Sequence, residues 1–129
     1  MKTRSLPRMA LLGSVALLLA HGCGPGTNDL RVAQSPKEAA SQLTSAFASA
    51  DASFNAAARA ASEALRAGDY PAAVESLHAI KGSQSVTPEQ GMAVHGSLVV
   101  LESSLLSAIE AGDPKAKVAY QRLKALKAK

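Results

Sequence analysis

The chain has 129 residues, 14 basic and 10 acidic side chains and a formal charge of +4, which is room for one domain and not two. A single cysteine excludes an intramolecular disulfide framework. Two phenylalanines, two tyrosines and no tryptophan exclude an aromatic-rich core, and no window of alternating β-branched or aromatic residues argues for a sheet.

Residues 1–22 read as a secretory signal. Lys2, Arg4 and Arg8 precede an apolar stretch from Met9 to Ala20 that only Gly13 and Ser14 interrupt. As a helix those residues would reach about 18 Å, and a membrane span needs about 20 apolar residues. Small residues at Ala20 and Gly22 place cleavage before Cys23. The run Leu18-Leu19-Ala20-His21-Gly22-Cys23 resembles the bacterial lipobox, differing from its commonest form in having Ala20 where leucine is usual and His21 where a small residue is usual. The resemblance implies that Cys23 is lipid-modified, with a diacylglycerol thioether and often a third acyl chain on the freed amine. Two or more acyl chains hold a protein stably on a bilayer. It further implies attachment in a bacterial cell envelope, facing the periplasm; Gly24 is not the aspartate associated with inner-membrane retention, which points to the outer membrane of a two-membrane host. Three of the basic residues and no acid lie in 1–22, so the remaining 107 residues carry a net charge of only +1.

Residues 23–35, containing "GPGTNDLRVAQS", have no helical periodicity and read as a tether. The helical domain, 36–129, follows. Ser35-Pro36-Lys37-Glu38 forms a capping box with proline in the first turn. From there the stripe Leu43, Phe47, Ala50, Phe54, Ala57, Ala61, Leu65 predicts one helix over 36–67, stopped by Gly68. Asp69 caps a helix over 70–81 with Tyr70, Ala73, Val74, Leu77 and Ile80 inward. Thr87-Pro88-Glu89-Gln90 is a second capping box. It opens a helix over 88–111 whose stripe Val94, Leu98, Leu101, Leu105, Ala108 is widened by Val99, Leu106 and Ile109. Gly112 ends that helix, and Asp113-Pro114 starts the last one, over 114–127, with Ala116, Ala119, Tyr120, Leu123 and Leu126 inward. The expected fold is all-α: four helices in two tandem hairpins forming a small bundle.

A shift of 44 residues lays Ala64-Leu65-Arg66-Ala67-Gly68-Asp69 on Ala108-Ile109-Glu110-Ala111-Gly112-Asp113, Ala72 on Ala116, Val74 on Val118 and Phe54 on Leu98. Gly68, Asp69, Gly112 and Asp113 are therefore the structural corners of duplicated hairpins. The first hairpin, through Ala60, Ala64, Gly68-Asp69-Tyr70, Ala73 and Leu77, also resembles part of a tetratricopeptide repeat. That family's pattern implies a glycine that lets antiparallel helices approach, an aromatic wedge and a small residue on the second helix. The likeness covers about 20 residues, and the 44-residue spacing departs from the family's period of about 34.

A continuous helix over 36–67 would be about 48 Å long, and the helix over 70–81 can cover only its C-terminal half. The uncovered half needs either the wide face of helix 88–111, closing a bundle within one chain, or a second copy, giving a homodimer through helix 36–67.

Little in the chain can do chemistry. Glu75-x-x-His78 has the spacing of carboxylate-bundle metal sites, but those need a second such motif, and 44 residues on from His78 stands Arg122. "HGSL" at 95–98 lacks a nucleophile elbow, and no phosphate-cradling glycine loop occurs. No catalytic residue, metal site or cofactor is implied, and the chain reads as a non-enzyme. Lys115, Lys117, Arg122, Lys124, Lys127 and Lys129 form a basic run without an intervening acid, which either solvates an outer helix face and complements its dipole or touches anionic lipid, glycan phosphate or acidic protein. No recognition motif argues for nucleic-acid binding. The sequence therefore points to a membrane-anchored structural or protein-interaction module with an unknown envelope protein as partner. The alternative is a small-ligand or metal-binding envelope protein with a site between helices.

Overall fold

The computed structural model describes residues 31–83 and 85–128. Cys23, the signal segment 1–22 and most of the tether lie outside the described residues. Five α-helices follow in order: α1 (Pro36–Ala46), α2 (Ala52–Ala67), α3 (Tyr70–Lys81), α4 (Pro88–Glu110) and α5 (Pro114–Lys127). Among the described residues there is no strand.

The helix expected over 36–67 is two helices, not one. Phe47 leaves the helical path at φ −103° and ψ 8°, and its ring is buried. The carbonyls freed by the break find side-chain donors: Asn55 Nδ2 donates to Phe47 O at 3.0 Å, and Gln90 Nε2 donates to Ala46 O at 3.3 Å. A buried break without such partners would leave polar groups unsatisfied, at about 1–3 kcal/mol each. With the break in place, α1 folds back to pack on both α2 and α4. Leu43, Phe47, Ala61 and Leu65 are all buried within the one chain, and the stripe expected to run unbroken over 36–67 is divided between two helices.

α1 packs on α2, α2 on α3, α3 on α5, α5 on α4 and α4 back on α1, with a further α3–α4 contact across the middle. The helices thus close a ring around a core that runs from Ala33 to Leu123. Among the described residues every buried core position lies between Ala33 and Leu123. Alanines supply much of it: Ala39, Ala40, Ala58, Ala61, Ala73, Ala116 and Ala119 are all buried, so the helices approach closely while each contributes little apolar area.

The two corners share one geometry. At the first, the Gly68 amide donates to Leu65 O (3.4 Å) and the Asp69 amide to Ala64 O (2.9 Å). At the second, 44 residues on, Gly112 donates to Ile109 O (3.0 Å) and Asp113 to Ala108 O (2.9 Å). This is the Schellman closure, which needs a left-handed residue; φ is 70° at Gly68 and 89° at Gly112. Each aspartate then accepts from the next helix, Asp69 from the Ala72 amide and Asp113 from the Lys115 amide. The tetratricopeptide pattern assigns the glycine to close helix approach. A Cβ at Gly68 would meet nothing within 4 Å, so here it serves the backbone alone.

The repeat stops at the corner. Val74 is 2% exposed whereas its counterpart Val118 is 54% exposed. α3 buries Ala73, Val74, Leu77 and Ile80; α5 buries Ala116, Ala119 and Leu123, which match positions 72, 75 and 79. The buried faces are offset by about one residue, a rotation of about 100°.

Candidate functional site

α4 is the longest of the helices and carries few charges for its length. Between Gln90 and Ile109 its only charged residue is Glu102, whose carboxylate accepts from Lys127 of α5. The Thr87–Gln90 capping box starts the helix: the Gln90 amide donates to Thr87 Oγ1 at 3.2 Å and the Thr87 amide to Gln90 Oε1 at 3.0 Å. Its inner face holds Val94, Leu98, Leu101 and Leu105, as the periodicity predicts.

The expected widening of that stripe points elsewhere. Val99 and Leu106 are 40% and 44% exposed, and Met92, 46% exposed, precedes them at the same seven-residue spacing. The three make an apolar stripe about 21 Å long on the outer face of α4, with His95 and Ser103 exposed beside it. The entering chain flanks the stripe. Ala33 is buried, Arg31 O accepts from Gln42 Nε2 at 2.9 Å, and a Cβ at Gly96 would reach Ala33 N at 3.5 Å and Val32 Cγ1 at 4.0 Å. Val32 and Ala33, read from sequence as part of the tether, therefore lie against α4 at Gly96, and Arg31 is tied to α1.

Around the helix from this stripe is a groove of about 380 Å³. Ile80 of α3, Val86 of the connecting loop and Val94 and Leu98 of α4 give it an apolar lining; Gly91 belongs to the wall; and Lys81, His95 and Lys127 supply the polar groups. Lys81 Nζ donates to Leu126 O at 2.8 Å, tying the end of α3 to the end of α5.

Other residues singled out from sequence have different surroundings. Glu75 Oε1 accepts from Arg122 Nη1 at 2.6 Å, so the carboxylate of the Glu75–His78 pair serves a cross-helix ion pair. Among the described residues no three His, Cys, Asp or Glu side chains gather as a metal site would need. The basic run of α5 is partly paired, through Arg122 with Glu75 and Lys127 with Glu102, and Lys124 Nζ sits 5.9 Å from the centroid of the Tyr120 ring. Sequence reasoning missed the buried polar residues. Ser62 Oγ lies 2.9 Å from Ala40 O and 2.7 Å from Ala58 O and accepts from Thr44 Oγ1 at 3.1 Å, pinning α2 to α1. A serine amid alanines carries no mark distinguishing this from an exposed position.

No family model, curated protein or solved structure matches the chain.

Proposed function

We propose that the chain is a lipid-anchored protein of a bacterial cell envelope whose helical domain is a protein-interaction module, with the outer face of α4 as its docking surface. The observation that supports the docking role is the exposure of three large apolar side chains, Met92, Val99 and Leu106, on one side of α4, interleaved with the polar groups of His95 and Ser103, a mixed apolar and polar surface of the kind that partner proteins use. Anchoring rests on the apolar run and the lipobox-like stretch ending at Cys23. The eight residue steps from Cys23 to Arg31 span at most about 28 Å. Since Val32 flanks the stripe, the docking face would stay that close to the bilayer, where envelope partners are concentrated.

The experiment has two arms in a bacterial host. A photo-activated cross-linking side chain at Val99 or Leu106 is expected to give a discrete adduct, while the same group at Arg59, exposed on α2, gives none. Absence of an adduct from Met92, Val99 and Leu106 alike would remove the docking role. In the second arm Cys23→Ala is expected to abolish lipid labelling and leave uncleaved precursor or soluble protein; a processed Cys23→Ala protein retained in the membrane fraction would overturn the anchor.

A further inference from the structure

We infer that the groove between α3, α4 and α5 binds an anionic single-chain amphiphile, a fatty-acid-like carboxylate, with its chain on Ile80, Val86, Val94 and Leu98 and its head between Lys81 and His95. This does not rest on the role proposed for the outer stripe of α4.

Three observations converge on that chemistry. Among the described residues the lining has buried aliphatic side chains, Ile80, Val94 and Leu98, and no carboxylate, while each of its side chains that can carry charge is basic: Lys81, His95 and Lys127. Lys127 is already matched to Glu102, whereas Lys81, which is exposed, has a backbone carbonyl and no carboxylate as its partner among the described residues, leaving N–H donors for a ligand. A carboxylate bound there gains charge-assisted hydrogen bonds beside a low-dielectric floor, and a cationic head group would be repelled. The volume, about 380 Å³, lies at the small end of ligand cavities, which run from about 300 to 1,000 Å³. That size fits one acyl chain better than a two-chain lipid.

Gly91 supplies the discriminating variant. It belongs to the groove wall on the first turns of α4, and a Cβ there would meet nothing within 4 Å. Gly91→Leu therefore places its β-carbon without a clash on the groove wall and sets a branched apolar side chain there, and replacing a helical glycine favours the helix.

The probe is dodecanoate below its micelle concentration, titrated calorimetrically into the soluble segment 27–129, with dodecyltrimethylammonium and acetate as comparators. The expected result is saturable one-site binding of dodecanoate, about tenfold or more tighter than either comparator. Gly91→Leu should weaken it at least about tenfold while melting no lower than the parent, and Lys81→Met should weaken dodecanoate by about fivefold or more without improving acetate. Equal affinity for the anionic and cationic chains would overturn the assignment of the head-group site. No saturable binding, or a folded Gly91→Leu variant that binds as the parent does, would overturn the groove itself.

Discussion

A side chain at Gly68 or Gly112 would find open space, yet both residues stand at positive φ, so what these positions demand is backbone freedom. The demand separates substitutions that size alone would rank together. Gly68→Val and Gly112→Val should each lower stability by more than about 1 kcal/mol, because a β-branched residue tolerates this region poorly. Gly68→Asn should cost clearly less, because asparagine enters the left-handed region more readily. Thermal melts of the three variants check this, and equal costs for Val and Asn would remove the backbone explanation. Ser62 poses the converse case, a polar atom in a dry place. Its one hydroxyl proton can serve either Ala40 O or Ala58 O at a time, and Thr44 donates to it or to Ala40 O. Ser62→Ala should cost about 1 kcal/mol by removing this link, since Thr44 can still donate to Ala40 O and the Ala58 carbonyl keeps its place in the helix. Ser62→Val should cost more through overpacking between two alanine-lined helices.

At the scale of elements, Gln90 joins two pieces of structure that lie far apart in the chain. Its Oε1 completes the cap of α4 while its Nε2 reaches the last carbonyl of α1. Gln90→Glu isolates the second contact: it keeps the capping acceptor and favours the helix dipole, but it removes the donor to Ala46 O and sets a carboxylate against that carbonyl. A loss of about 1–2 kcal/mol in a denaturant titration is the expected outcome; a neutral or stabilised variant would mean that the α1–α4 link contributes nothing. The same residue shows where sequence reading succeeds and stops. The starts of α1, α3, α4 and α5 were legible because Ser35, Asp69, Thr87 and Asp113 mark them, each with a proline in the first turn. The break at 47–51 was not legible, because its carbonyl partners are Asn55 and Gln90, and Gln90 stands 44 residues on from the Ala46 carbonyl it serves. Nor was the offset of the α5 face, which is set by packing against α3 and α4 and which the shared corner motif does not encode. Of the candidate sites, the groove was hidden because its lining comes from three separate segments. Val99 and Leu106 were visible as apolar residues but assigned to the wrong side, since periodicity cannot tell a wide buried face from a buried face with an apolar outer stripe.

For the whole molecule, stability resides in the closed ring of helices and not in surface charge. The Arg122–Glu75 pair joins α5 to α3 at short distance, but both side chains are more than half exposed. Glu75→Gln should therefore change stability by less than about 0.5 kcal/mol at moderate salt, and a larger drop in the melt would assign the pair a structural role. Val99→Lys on the outer stripe should likewise leave the melt near that of the parent, because surface substitutions cost little, while removing the adduct-forming contact described above. The ring also governs how the domain responds to load. If the protein hangs from its N-terminus, a pull reaches the fold at residues 31–33, of which Val32 and Ala33 lie against α4 at Gly96 and Arg31 is tied to α1 by Gln42. Tension is first resisted by the Gln42–Arg31 hydrogen bond and the buried Ala33, and α1 can peel away only once both are lost. The carbonyl clasps from Asn55 and Gln90 are then the next to give, so mechanical failure would run inward from the anchor and leave the α3, α4 and α5 groove until last.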